Sequence, residues 1–153
     1  MATDTRTQPG VSTENTEWRG GVVAGLAGGA AMGVLLSMMM TPVIEVAIPS
    51  MYGLTGGLAG WVIHMAHAAV LGVGFAALAQ ATDIRSTAKS IGVGVAYGVV
   101  IWVALAVLLM PLWLSAVGSP ANPPFPNLNP MSLVGHVVYG AVVGATFPAV
   151  RNL

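Results

Sequence analysis

Residues 61–75 read WVIHMAHAAVLGVGF, and residues 133–147 read LVGHVVYGAVVGATF. Both are apolar stretches of helical character, and they are identical at Val62/Val134, His64/His136, Ala69/Ala141, Val70/Val142, Gly72/Gly144 and Phe75/Phe147. The segments upstream of them also match, at Gly25/Gly94, Ala27/Ala96, Gly29/Gly98, Val34/Val103, Leu36/Leu105 and Pro42/Pro111. The sequence therefore predicts a duplicated two-helix hairpin in which each copy carries a histidine at the same depth of an apolar helix.

The composition around these stretches indicates a membrane protein. Hydrophobic residues make up 56% of the chain and charged residues 7%, whereas soluble domains carry roughly a quarter charged residues. The apolar residues form four runs, at about 20–40, 58–80, 91–114 and 131–150, each close to the ~20 residues that span a bilayer. We expect an all-α integral membrane four-helix bundle over residues 18–153, made of two parallel two-helix repeats. Residues 1–17 are polar and Thr-rich, which predicts a disordered tail.

The basic residues predict the orientation of the chain. In a four-span arrangement all five fall on one side of the membrane: Arg6, Arg19, Arg85, Lys89 and Arg151. The positive-inside rule then places both termini in the cytoplasm, so we expect a multi-pass protein of the cell membrane. The net charge is zero, so nothing indicates a nucleic-acid partner. Cysteine is absent, which excludes disulfides and thiolate metal sites.

Glycines at four-residue spacing predict close helix packing. Small residues at this spacing form a groove on one helix face, where two backbones can approach each other. The positions are Gly21, Gly25, Gly29, Gly33, Gly94, Gly98, Gly140 and Gly144. Packing inside the bundle is the simpler interpretation, and association with a second copy of the chain is the alternative.

The three histidines are the first candidates for chemistry, because ionisable groups inside a membrane usually face the bundle interior or a cavity. In the simplest interpretation each one hydrogen-bonds a neighbouring helix. Alternatively, His64 and His136 are the axial ligands of a haem, with Gly72 and Gly144 leaving room for the ring. As a third alternative the histidines relay protons or bind a metal, for which His64, His67, His136 and Glu45 are the available ligands.

The sequence favours a non-enzymatic role. It contains no GxSxG, P-loop, HExxH or dinucleotide-binding motif. The bundle has little outside the bilayer, so we expect an accessory or structural subunit that packs beside a larger membrane complex or a second copy. The alternatives are a haem-binding electron-transfer protein that uses His64 and His136, and a small proton- or ion-conducting protein.

Taken whole, the chain resembles small four-span membrane proteins of halophilic archaea. The acidic, Thr-rich tail, the Ala/Val/Gly-rich spans and the paired stretches at 61–75 and 133–147 carry the resemblance. It implies a bundle in the membrane, and it transfers no functional residue, because that kind of family has no assigned activity.

Overall fold

The computed structural model describes residues 17–84 and 86–153, and these ranges are helical with no strand. Four helices are long and apolar enough to cross a membrane, and we call them spans 1 to 4. Their bounds are Glu17–Met39, Gly57–Ala81, Thr87–Ala116 and Pro130–Val150. The predicted all-α fold with four membrane-spanning helices is confirmed. The predicted tail lies outside the described residues except for Glu17, which begins span 1.

At one end of the bundle, which we call the charged end, Arg151 connects three segments of the chain. Its guanidinium forms an ion pair with Glu17, with 3.1 Å from Nε to Oε1. Its Nη1 donates a hydrogen bond of 3.1 Å to the backbone oxygen of Ile84. Arg151 therefore links the start of span 1, the end of span 4 and the short turn between spans 2 and 3.

The opposite end, the connector end, carries two longer segments: the first connector, residues 40–56, and the second connector, residues 117–129. The first connector contains a π-helical turn, Val43–Ala47, followed by the short helix Ile48–Ser50. The two connectors meet, because the hydroxyls of Ser50 and Ser119 lie 2.7 Å apart. Nearby, Nε1 of Trp113 donates to the backbone oxygen of Met51 at 2.9 Å. These contacts close the connector end of the bundle.

The second connector also returns to span 3, at the position where Pro111 disturbs the helix. Proline has no N–H, so a helix that passes through it leaves a carbonyl oxygen without its usual donor. The backbone N–H of Asn127 donates to Val107 O at 3.1 Å, and its side-chain amide donates to Ala106 O at 3.4 Å. Span 3 is π-helical over Trp102–Leu109 and continues to Ala116, because the connector supplies donors that the proline removes.

The glycines lie where spans 1 and 2, and spans 3 and 4, pack backbone against backbone. A Cβ atom on Gly25 would lie 2.9 Å from the Cα of Gly72, and one on Gly94 would lie 3.1 Å from the Cα of Gly144. All the predicted packing positions have such a neighbour within the chain: Gly21, Gly25, Gly29, Gly33, Gly94, Gly98, Gly140 and Gly144. These eight glycine positions are filled by the chain's own helices, as the simpler interpretation predicts.

Spans 1 and 4 lie side by side in the middle of the bundle, with span 2 against span 1 and span 3 against span 4. The 1–4 interface is close-packed: a Cβ on Gly28 would lie 2.8 Å from Cγ2 of Val143 and 2.9 Å from Tyr139 O. The 2–3 interface has far fewer contacts. Its firmest link is the hydrogen bond of 2.8 Å from the Tyr97 hydroxyl to Leu71 O. Between that link and the connector end, spans 2 and 3 stand apart.

Candidate functional site

The separation of spans 2 and 3 creates a cavity of about 540 Å³ in the connector half of the bundle. All four spans and both connectors contribute to its wall. Towards the charged end the cavity reaches Leu71, whose backbone oxygen accepts the hydrogen bond from Tyr97. Towards the connector end it reaches Met51 and Trp113, which are joined by a hydrogen bond of 2.9 Å.

The side of the cavity between spans 2 and 3 is open. Val70 on span 2 and Leu109 on span 3 both line the cavity, yet they are 70% and 50% exposed. These side chains lie in apolar helices that are long enough to cross a membrane. The opening therefore faces the surroundings of the spans, where the hydrocarbon of a bilayer would lie, and we call it the lateral window.

Most of the wall is apolar. Its residues include four methionines, namely Met32, Met40, Met51 and Met110. Thioether side chains are flexible and polarisable, so they adapt to irregular apolar shapes. Such a wall suits a molecule that is itself largely apolar.

His64 is held in the packing between spans 1 and 2. It is 7% exposed, and its Nε2 lies 2.9 Å from Gly29 O on span 1. A carbonyl oxygen can only accept, so Nε2 carries the hydrogen. This is the interhelical hydrogen bond of the simplest interpretation of the histidines.

His136 is arranged differently, although it occupies the matching position of the other stretch. Its Nδ1 lies 2.7 Å from Ser132 O, one turn earlier on the same helix. Nδ1 therefore carries the hydrogen, and in the neutral ring Nε2 is an acceptor. His136 lines the cavity, and its Nε2 has no hydrogen-bond partner among the described residues. Its Nε2 is therefore a ring nitrogen that is open to a ligand.

His67 lies at the edge of the cavity and pairs with the first connector. Its Nε2 is 2.7 Å from the hydroxyl of Tyr52, and both residues line the cavity. Tyr139, which stands at the position of His67 in the second stretch, donates its hydroxyl to Ala68 O at 2.8 Å. This bond joins span 4 to span 2 behind the cavity.

The predicted metal set is not assembled. No group of three or more His, Asp or Glu side chains that could hold a metal occurs in residues 17–84 and 86–153. Glu45 is exposed and lies beside Gly57, away from the cavity. The reason is local: the π-helical turn buries Ile44 and Ala47, so Glu45 takes the outward position.

The prediction that Gly72 and Gly144 leave room for a haem ring is wrong. A Cβ on Gly72 would lie 2.6 Å from the Cα of Gly25, and one on Gly144 would lie 2.8 Å from the Cα of Ile91. Both glycines are pressed against neighbouring backbones and not against the cavity. The structure also leaves Nε2 of His64 bonded to Gly29, so it does not present the two histidines as a pair of axial ligands.

Sequence reasoning missed the lateral window, although a signal for it was present. In the alignment of the two hairpins Gly28 corresponds to Tyr97, between the matched pairs Ala27/Ala96 and Gly29/Gly98. A glycine in one copy and a tyrosine in the other predicts one close interface and one wider interface.

Comparison of the chain with protein-family models, with curated proteins and with solved structures found no match. The resemblance to membrane proteins of halophilic archaea stays a prediction.

Proposed function

We propose that this protein is a non-enzymatic, multi-pass membrane protein that binds a lipid-soluble molecule in the cavity between spans 2 and 3. The observation that carries the proposal is the lateral window: a largely apolar cavity of about 540 Å³ whose lining residues Val70 and Leu109 are exposed on the side between spans 2 and 3. Ligand pockets typically measure about 300–1,000 Å³ and are mostly apolar with a few placed polar groups. An opening on the side of the spans admits molecules that are dissolved in the bilayer.

The polar groups of the wall support a binding role. His64 and Tyr139 are engaged in hydrogen bonds between helices, and His67 is engaged with Tyr52. These side chains hold the cavity open and in shape. His136 remains as a group that can contact a bound molecule.

We expect the charged end to face the cytoplasm, as the positive-inside rule predicts. Supporting this, Arg19 and Lys89 lie in the terminal turns of spans 1 and 3 at the same end as Arg151. The cavity would then occupy the outer half of the membrane. Because the chain has no cysteine, single cysteines report orientation cleanly. Ala121→Cys should react with a membrane-impermeant maleimide in intact cells, and Thr82→Cys should react only after lysis; the reverse pattern would overturn the orientation.

The accessory role predicted from the sequence is the proposed cellular setting of this binding. It predicts that the protein, extracted in mild detergent at its natural expression level, co-purifies with a larger membrane complex. A protein that elutes alone under those conditions contradicts the accessory role and leaves ligand binding standing.

Binding is tested by analysing what the purified protein carries. We expect an organic extract of the wild-type protein to contain a lipid-soluble compound enriched over the surrounding lipid. Leu105→Trp fills the cavity and should carry about tenfold less, because overpacking a binding space costs about 1–3 kcal/mol. Val100→Trp is the matched control, since Val100 lies outside the cavity lining and is 63% exposed. Extracts of wild type and Leu105→Trp that do not differ would contradict the proposal.

Haem is a second candidate, favoured by one observation. Metal-ligating histidines usually donate their other ring N–H to a carbonyl or carboxylate, and His136 donates from Nδ1 to Ser132 O. A haem would then have one protein ligand, His136. An oxidised-minus-reduced visible spectrum tests this: a Soret band with sharp α and β bands, lost in His136→Gln, supports haem, and a flat spectrum from haem-replete cells excludes it.

A further inference from the structure

The cavity has a polar patch at the start of span 4. Ser132 and His136 are one turn apart and therefore share a helix face, and both line the cavity. Neither the hydroxyl of Ser132 nor Nε2 of His136 has a hydrogen-bond partner among the described residues. Span 3 lines the cavity with the apolar side chains of Ile101, Leu105 and Leu109. A ligand can therefore place a polar group against Ser132 and His136 and its apolar part against span 3.

Nε2 of His136 and the hydroxyl of Ser132 require different hydrogen-bond partners. Nε2 of His136 must accept a hydrogen bond, because the hydrogen of the neutral ring is held on Nδ1 by Ser132 O. The hydroxyl of Ser132 can donate or accept. A bound hydroxyl group satisfies both: it donates to Nε2 and accepts from Ser132. A ketone or an ether accepts from Ser132 but leaves Nε2 without a donor.

Leaving a buried acceptor unpaired weakens binding, because the group loses its water without gaining a partner. In an apolar cavity, every ligand without a hydrogen-bond donor leaves this acceptor unpaired and binds less tightly. The wall therefore discriminates between ligands by their polar end and tolerates variation in their apolar part, which lies against the methionines.

We propose that the natural ligand is a bilayer-soluble alcohol or phenol, whose hydroxyl donates to Nε2 of His136 while its hydrocarbon part leads towards the lateral window. This rests on the proposed ligand-binding function and names its ligand class. Nε2 of His64 and Nε2 of His67 are engaged, whereas Nε2 of His136 is free and shares a helix face with Ser132.

The test compares two probes that differ by one methyl group, para-octylphenol and its methyl ether, para-octylanisole. The purified protein is placed in phosphatidylcholine nanodiscs, and the uptake of each probe is compared with that of empty discs by mass spectrometry. We expect the phenol to bind about tenfold more tightly than the ether. The phenol gains one buried hydrogen bond to Nε2 of His136, whereas the ether leaves this nitrogen without a partner. In His136→Leu the two probes should bind equally, because the phenol loses its acceptor and the ether no longer leaves Nε2 unpaired.

A matched variant separates the two polar groups. Ser132→Ala removes a group that can donate to either probe, so it should weaken both and keep the preference for the phenol. Binding of the ether to His136→Leu at least as tightly as to the wild type shows that this variant is folded around an intact cavity.

The outcomes distinguish this proposal from the function on which it rests. If neither probe binds above the level of empty discs, ligand binding itself fails. If both probes bind the wild type equally, or if the preference for the phenol survives in His136→Leu, the cavity binds ligands but the hydroxyl assignment is wrong. A haem spectrum that depends on His136 would also overturn the assignment, because the iron would occupy Nε2.

Discussion

The 1–4 and 2–3 interfaces of the bundle would be equivalent in the predicted duplication of the hairpin, yet only the 1–4 interface is closed. Rotating the hairpin of spans 1 and 2 onto that of spans 3 and 4 carries the 1–4 interface onto the 2–3 interface. At the first, Gly28 lets span 1 approach Val143. At the second, Tyr97 stands at the position of Gly28 and reaches Leu71 O through its hydroxyl.

In the predicted duplicated bundle, the cavity lies at the interface where a tyrosine replaces a glycine. The tyrosine ring holds two helices apart at its own width, and the helices stay apart beyond it. The histidines differ as well: His64 bonds a neighbouring helix through Nε2, and His136 bonds its own helix through Nδ1. Each of the following substitutions alters one of the two interfaces or one of the two histidines.

The largest effect on stability is expected from Gly28→Tyr. This change places a tyrosine in the closed 1–4 interface, at the position that corresponds to Tyr97 in the open 2–3 interface. A Cβ at Gly28 already lies 2.9 Å from Tyr139 O, so a ring there forces spans 1 and 4 apart. We expect a loss of about 3 kcal/mol or more in the free energy of unfolding, measured by detergent-induced unfolding in mixed micelles. Gly92→Tyr is the control, because nothing lies within 4 Å of a Cβ at Gly92. Equal stability of the two variants would show that the 1–4 interface does not depend on a small residue.

Tyr97→Ala alters the open interface by removing its closest contact. The variant loses the aromatic contact with Phe75, worth about 0.5–1.5 kcal/mol, and a hydrogen bond in the membrane, worth about 0.6 kcal/mol. We expect unfolding to become easier by about 2 kcal/mol in the same assay, and Tyr97→Phe by about 0.6 kcal/mol. If Tyr97→Phe were as destabilised as Tyr97→Ala, the hydroxyl, and not the ring, would set the separation of spans 2 and 3.

Replacing the histidines one at a time compares the two hairpins directly. His64→Leu removes an interhelical hydrogen bond, and we expect it to destabilise the bundle by about 1 kcal/mol. His136→Leu removes a bond within span 4 and should change unfolding by less than about 0.5 kcal/mol. The reverse order of the two effects, measured side by side, would contradict the assignment of His64 to packing and His136 to the ligand.

A small effect is also expected at the charged end of the closed interface. Arg151→Met removes the ion pair with Glu17, whose side chains are partly exposed. Such pairs contribute little, so we expect a loss of about 0.5 kcal/mol. The difference from wild type should shrink at high salt, because salt screens exposed charges. A loss that does not depend on salt would assign the contribution to the uncharged bond with Ile84 O.

The sequence predicts the four helices because the length and composition of each apolar run are set by the bilayer. It also identifies the glycines that pack, since Gly25 and Gly94 need only a small residue on a helix face to allow close approach. These features are local or periodic, so they can be read along the chain.

Other features depend on which helix faces which, and the sequence does not state that. Gly72 lies on the same helix face as His64 by spacing, but in the structure it is covered by Gly25. Glu45 is directed outwards by a π-helical turn whose register no simple periodicity predicts. The Asn127 contact with Val107 forms only when the second connector folds back onto span 3. The internal duplication itself stays a prediction.

The lateral window has a consequence for the proposed binding function. A ligand that enters from the bilayer would be dissolved among lipids, so occupancy of the cavity would follow the number of ligand molecules per lipid and not the amount per volume of cell. Growth of the membrane without new ligand would empty the cavity, and an unchanged total amount of ligand in a smaller membrane would fill it. The occupied fraction of the protein would thereby change with the ligand-to-lipid ratio of the membrane.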